Sequence, residues 1–143
     1  MILLDTNIVS EPLRARPDPR IRTWLDAADQ QALFLCTPVL AEIRFGIEWL
    51  PSSARRDRLE AWCVAIEEDI FMDRILSFDR SAAYQFGRIT ALRERLGRLI
   101  KPLDAQIAAI ALANGLALAT RDVGDFAGLE VEVINPFADT APR

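Results

Sequence analysis

The sequence has no histidine, one lysine and only two cysteines among its 143 residues. Without histidine, Ser-His-Asp triads, Cys-His dyads and histidine-ligated zinc are all excluded. Cys36 and Cys63 lie in apolar runs, and without closely spaced cysteine pairs we expect buried thiols rather than zinc ligands or a disulfide framework. General acid–base chemistry therefore falls to carboxylates, to a metal-bound water or to Lys101.

Long apolar runs are also missing. None approaches the ~20 residues that cross a bilayer, and the first residues reach Asp5 without the basic stretch of a signal peptide. We therefore expect a cytoplasmic protein with no membrane segment. Seventeen basic against 21 acidic residues give a net charge of −4. That charge disfavours a general nucleic-acid binder, although nearly all the basic residues are arginine, which suits phosphate contacts.

Short apolar runs alternate with amphipathic stretches along the chain. Strands are predicted at 2–4, 32–36, 74–78, 116–120 and 129–134. Helices are predicted at 18–28, 37–50, 53–66, 79–97 and 103–114, with Thr37 as one N-cap. The alternation predicts an α/β fold with a central, mostly parallel sheet of about five strands covered on both faces. We expect one domain over 1–143, with a short polar tail from about 137.

Five acidic residues fall at or near the predicted strand ends. Asp5 directly follows the first strand, and Glu42 lies about 7 Å into the helix after the second, at ~1.5 Å per residue. Asp104 opens the helix before the fourth strand, and Asp122 and Asp125 follow that strand. Ligands bind beyond the carboxyl ends of strands in open parallel sheets. If the first and fourth strands are neighbours, these acids converge on one edge.

Such a cluster of acids is unstable without a cation. Two like charges ~5 Å apart repel by about 3 kcal/mol at an effective dielectric near 20, so several pairs would rival the stability of a small domain. Hard oxygen donors without histidine or thiolate favour Mg²⁺ or Mn²⁺. The sequence therefore predicts a divalent-metal site.

Each acid also has a structural interpretation. Asp5 fits an Asx turn with Asn7, and Asp104 fits a helix N-cap. Glu42 lies beside an apolar stripe, where it fits a salt bridge to Arg44 or another arginine. The two acids after the fourth strand fit ordinary turn positions.

Arginines and tryptophans each allow two interpretations. Four arginines near the prolines either flank a substrate groove or are solvated: Arg14, Arg16, Arg20 and Arg22. Three tryptophans fit core or dimer contacts better than base-stacking platforms: Trp24, Trp49 and Trp62.

Four segments, in order, resemble the acidic motifs of PIN-domain ribonucleases: Met1–Ile8, Pro38–Gly46, Leu103–Ala109 and Ala119–Phe126. Val133–Phe137 is similar to that family's usual ending. The resemblance spans essentially the whole chain and extends to VapC-type toxins of the FitB-like branch, from type II toxin–antitoxin pairs. It implies a three-layer α/β/α fold and a Mg²⁺- or Mn²⁺-dependent endoribonuclease, usually dimeric, that cleaves structured RNA such as tRNA or rRNA and is neutralised by a cognate VapB-like antitoxin.

The resemblance also implies roles for particular residues. Catalytic and metal-binding roles carry over to four acids: Asp5, Glu42, Asp104 and Asp122. Thr6 and Thr120 match positions that often support the metal ligands. Related chains often have Asn at the place of Asp122 and keep an acid at that of Asp125, so either of these two serves the metal.

Metal-assisted phosphodiester hydrolysis is the mechanism that this site implies. Asp5 and Asp104 would hold the principal ion, while Glu42 and Asp122 would orient a metal-bound water or bind a second ion. A catalytically inactive PIN-like domain that binds RNA or protein is the main alternative. A Mg²⁺-binding phosphoryl receiver fits less well, because such proteins need adjacent acids after the first strand.

Overall fold

The computed structural model describes residues 1–138, so most of the predicted polar tail, at 139–143, lies outside the described residues. Phe137 is buried and belongs to the packed part of the molecule rather than to a tail. The assignment of 1–143 to one domain stays a prediction. Within the described residues, the helices are all too short or too polar to cross a membrane.

Strands and helices alternate along the described chain. The strands are β1 (Ile2–Leu4), β2 (Leu33–Cys36), β3 (Ile75–Leu76), β4 (Ala117–Ala119) and β5 (Val133–Ile134). The helices are α1 (Thr6–Ser10), α2 (Pro19–Ala27), α3 (Thr37–Trp49), α4 (Ala54–Ala65), α5 (Arg80–Arg95) and α6 (Pro102–Ala113). A π-helical turn continues α4, and short 3-10 turns occupy several loops. The predicted α/β class is confirmed.

The sheet is parallel throughout, with the strand order β3-β2-β1-β4-β5. Ile2 of β1 is in register with Leu33 of β2 on one side and with Ala117 of β4 on the other. Strands β1, β2 and β3 follow one another toward one edge of the sheet. The chain then returns to the other side of β1, where β4 pairs with β1 and β5 forms the second edge. The predicted adjacency of the first and fourth strands is thus confirmed, and the order reverses between β1 and β4, where open α/β sheets bind ligands.

Three local predictions were wrong. Residues 6–10, where no helix was predicted, form helix α1, because Asp5 accepts the amide of Thr6 at 2.8 Å and caps it. The third and fifth strands are only two residues long, since both lie at the edges of the sheet and pair on one side only. Thr37 is the first residue of α3 and not its N-cap; its hydroxyl instead accepts the amide of Phe78 at 3.4 Å.

Cysteines and tryptophans occupy different environments. Cys36 and Cys63 are buried thiols outside any disulfide, as expected. Trp24 and Trp62 pack against the core. Trp49 does not: it is 80% exposed and stacks on another exposed ring of α3, so the core interpretation is wrong for this residue.

Candidate active site

Asp5 is fixed at the carboxyl end of the central strand. Its amide donates to the carbonyl of Ala119 at 3.0 Å, which extends the β1–β4 ladder by one step. Its side chain is held by the Thr6 amide at 2.8 Å, the Thr120 hydroxyl at 2.7 Å and the Asn7 side chain at 3.3 Å. The residue is only 5% exposed. Local backbone geometry and the neighbouring strand therefore fix Asp5 at the switch point of the sheet.

The two residues after Asp5 connect it to other predicted site residues. The Thr6 hydroxyl donates to the carboxylate of Glu42, on α3. Asn7 donates to a carboxylate oxygen of Asp122 at 3.0 Å and accepts the amide of Arg121 at 3.1 Å. One short segment thereby links the end of β1 to α3 and to the loop after β4.

Glu42 is exposed and lies next to Thr6. The salt bridge to Arg44 or another arginine, on which its structural interpretation depended, is absent from the ion pairs of residues 1–138. Arg44 instead pairs with Glu60 at 3.6 Å and with Glu67 at 3.3 Å. The carboxylate of Glu42 is therefore left facing the site.

Asp104 lies in the first turn of α6 and is half-buried. Lys101 occupies the N-cap position, so the N-cap interpretation of Asp104 is wrong. Burial raises the pKa of Asp104 to about 6, and the charges of Asp5, Asp125 and Glu42 add to the increase. Asp104 therefore shares one electrostatic environment with acids from three other segments.

The pKa of Asp5 is raised as well. Burial is the main cause, and the negative charges of Glu42 and Asp122 contribute. Hydrogen bonds from Thr120 and Thr6 lower the pKa but do not cancel these effects. Asp5 and Asp104 thus lie at a site that disfavours their own ionised forms, although the charge of Lys101 partly offsets the increase at Asp104.

Asp122 and Asp125 both act on the carboxylates Asp5 and Asp104, each on a different one. Asp122 is exposed, accepts from Asn7 and raises the pKa of Asp5. Asp125 is exposed in the following 3-10 turn and raises the pKa of Asp104. The structure therefore brings both acids near the site.

The donor set fits a hard divalent cation. Among residues 1–138, no three carboxylates or thiols are close enough together to form a complete metal cage. Mg²⁺ does not need one, because it is usually bound through one or two carboxylates with several waters retained. Asp5 and Asp104, with raised pKa values and oxygen donors only, match that requirement.

A groove of about 270 Å³ adjoins these acids, and Thr6, Glu42, Arg14 and Trp62 are among its lining residues. A second groove, of about 410 Å³, lies along α5 beside residues 129–130 and is lined by none of the predicted site residues. The smaller groove is therefore the better candidate for a substrate-binding groove.

Sequence reasoning missed two residues near the site. Asn7 was considered only as a turn partner, yet its side chain contacts Asp5, Thr120 and Asp122. Glu11 was not identified as a site residue, because its position between a short helix and a proline does not indicate burial. In the folded chain it is only 3% exposed. An acid immediately before Pro12 is unremarkable in sequence, and only the fold reveals its burial.

The match to known proteins agrees with this geometry. Residues 2–130 match the family model described as "PIN domain". The chain belongs to the PIN-domain family, which confirms the resemblance drawn from the acidic motifs.

Within that family, the chain is similar to bacterial toxins and ribonucleases. It is 37% identical over 139 residues to toxin FitB of Neisseria gonorrhoeae, covering 97% of this chain and 100% of that protein. It is 36% identical over 141 residues to VapC ribonuclease Y4jK of Sinorhizobium fredii, covering 96% and 98%. The crystal structure of FitAcB from Neisseria gonorrhoeae superimposes with a TM-score of 0.89 at 36% identity, covering 97% of this chain and 100% of that one.

Proposed function

We propose that the chain is a Mg²⁺- or Mn²⁺-dependent endoribonuclease toxin of the VapC type. The observation that carries this proposal is the group of carboxylates at the β1–β4 switch point, which hydrogen bonds of Thr6, Asn7 and Thr120 hold together. Burial, and then the charges of neighbouring acids, raise the pKa values of Asp5 and Asp104 there. Its similarity along nearly its whole length to a VapC ribonuclease supports the same activity.

Asp5 and Asp104 are the residues that would hold the metal ion. When bound, the ion would supply an activated water and neutralise charge on the phosphoryl oxygens. Glu42 and Asp122 orient the attacking water by accepting its hydrogen bonds, or hold a second ion. Thr6 and Thr120 keep the carboxylates of Glu42 and Asp5 in position through their hydroxyl groups.

The chain's partners follow from the same proposal. Structured RNA such as tRNA is the substrate, and a VapB-like antitoxin neutralises the enzyme. The enzyme acts in the cytoplasm as a homodimer. Toxin FitB and VapC ribonuclease Y4jK, both similar to this chain over nearly their full lengths, support the toxin assignment.

The test is cleavage of purified RNA by the purified chain, with Mg²⁺, with Mn²⁺ and with EDTA. We expect cleavage with either metal and none with EDTA. RNA binding without cleavage under all three conditions would overturn the proposal and support the catalytically inactive alternative.

A matched pair of variants decides which acid after β4 serves the metal. Asp122→Asn and Asp125→Asn remove the same charge from positions three residues apart. We expect Asp122→Asn to reduce cleavage at least about 10-fold more, because the charge of Asp122 acts on Asp5 and the Asn7 side chain contacts both residues. A larger loss with Asp125→Asn would transfer the role to that residue.

A further inference from the structure

Glu11 is a buried carboxylate that the proposed chemistry does not use. Its side chain is 4% exposed. One oxygen, Oε1, accepts the backbone amide of Asp18 at 3.0 Å. The other, Oε2, accepts from two guanidinium groups: Arg14 at 3.3 Å and Arg121 at 2.9 Å. A single buried acid therefore binds two arginines that are far apart from each other in the sequence.

Both arginines remain open to solvent although they share one anchor. Their side chains are 59% exposed for Arg14 and 41% exposed for Arg121. Arg121 is fixed a second time, because its guanidinium lies 3.9 Å from the centre of the Phe137 ring. Two positive charges against one negative charge leave the Glu11 group with a net charge of +1. A guanidinium held in this way loses little further freedom on binding a ligand.

This cationic pair borders the carboxylates. The backbone amide of Arg121 donates to Asn7, whose side chain contacts both Asp5 and Asp122. Arg14 lines the same groove as Thr6 and Glu42. Fixed cations and the acids of the metal site therefore lie side by side along one surface.

We propose that Arg14 and Arg121, anchored by Glu11, form a phosphate-binding site for the RNA backbone beside the carboxylate cluster. A guanidinium binds a phosphodiester through paired N–H donors, which places the charge and fixes its orientation. RNA approaching the acids is repelled by them, and a cationic site next to them offsets that repulsion and aligns the strand. Naming RNA as the ligand rests on the proposed nuclease function.

The test measures binding of a short, fluorescein-labelled single-stranded RNA by anisotropy, in EDTA and at several NaCl concentrations. The full chain carrying Asp104→Asn serves as the background, so that the RNA is not cleaved. Arg14→Gln and Arg121→Gln should each weaken binding about 5- to 10-fold and reduce the slope of log affinity against log salt by about 0.7. Arg22→Gln, which removes an equal charge from α2, should change the slope little.

A second measurement separates binding from chemistry. In the chain with Asp104 intact, Arg14→Gln should raise KM several-fold and leave kcat nearly unchanged, because the phosphate contact lies beside the reacting group. Arg121→Lys should recover part of the affinity, since it keeps the charge and loses the planar contact with Phe137. Thermal melts confirm that each variant is folded; Arg14 is exposed enough that its replacement leaves the fold intact.

The outcomes distinguish this inference from the nuclease proposal. If the chain fails to cleave RNA but loses RNA affinity in both arginine variants, the phosphate site stands and the nuclease proposal fails. If the chain cleaves RNA while both variants bind it as Arg22→Gln does, the phosphate site is wrong. Loss of antitoxin binding with unchanged RNA binding would also overturn it, and would assign the arginines to a protein interface.

Discussion

Two buried carboxylates six positions apart, Asp5 and Glu11, have pKa values shifted in opposite directions. Both are almost fully removed from solvent. The pKa of Asp5 is raised, by burial first and then by the charges of neighbouring acids. Burial would also raise the pKa of Glu11, but the Asp18 amide and the two guanidiniums outweigh it, and the pKa is lowered.

The difference shows which part of the molecule is complete without a ligand. Glu11 has its cations built into the fold, so its ionised form is stabilised in the protein alone. Asp5 has neutral donors and other acids around it, so its ionised form needs a cation from solution. Burial is common to both sites; the charge of the partners decides whether a site is structural or ready for a metal.

The largest expected effect is on the activity of the acid site. Asp104→Asn should reduce RNA cleavage by about 100-fold or more, because it removes a metal ligand. In metal-free buffer its melting temperature should stay the same or rise, since burial and then repulsion from neighbouring acids raise the pKa of Asp104, and a neutral amide avoids both costs. Cleavage assays beside thermal melts measure both quantities.

Asp57→Asn is the matched control, because it removes one exposed carboxylate from α4. It should leave cleavage unchanged. Equal activity of the two variants would remove Asp104 from the site, and a sharp drop in the melting temperature of Asp104→Asn would place it in the structural class with Glu11.

Next in size is the stability of the Glu11 group. Glu11→Gln removes the anchor of two guanidiniums at a buried position, and we expect it to lower the free energy of unfolding by ~1–3 kcal/mol. Urea denaturation measures the change. Glu48→Gln breaks the exposed pair with Arg56 and should cost under about 1 kcal/mol. Similar costs for the two variants would contradict the compensated, buried character of Glu11.

Most of the fold was predictable, because local signals carry it. The apolar runs mark β1, β2 and β4, and Ser53 and Asp79, at the predicted starts of two helices, accept amides of those helices' first turns. The two edge strands were overextended, because strand propensity continues past the point where a neighbouring strand stops pairing. Helix α1 was missed, since a five-residue helix leaves no periodicity to detect.

The acids of the site were predictable from their positions after strands, and the β1–β4 pairing supplied their convergence. The contacts that organise them were not. Asn7 joins Asp5 to Asp122 across a sequence separation of more than one hundred residues, and Arg121 reaches Glu11 over a similar span. No local pattern encodes a contact of that range, so these partners required the folded chain.

Metal addition should produce a smaller shift that also separates the two sites. MnCl₂ or MgCl₂ should raise the melting temperature at pH 7, with a gain of about 1.4 kcal/mol when free metal is ten times its Kd. Asp104→Asn should lose most of this gain, while Glu11→Gln should keep it, because its missing charge lies outside the metal site. Calorimetry with each metal measures the shift. A gain of equal size in both variants would mean that the metal binds elsewhere.

The smallest expected effect is a pH dependence of opposite sign at the two sites. The pKa of Asp104 rises from its usual 3.8 to about 6 in the folded chain, so the folded state binds more protons than the unfolded state between those values. In EDTA, the contribution of Asp104 to stability is therefore fully present below pH 4 and is lost as the pH rises toward 6. Glu11, with a lowered pKa, contributes stability above its usual pKa of 4.5 and loses it as the pH falls further.

Urea titrations from pH 3 to pH 7 should show the loss toward pH 6 in the unsubstituted chain and a flatter profile in Asp104→Asn. Identical profiles would mean that burial and the neighbouring acids do not raise the pKa of Asp104 in the folded chain, and would contradict a site whose ionised form needs a cation.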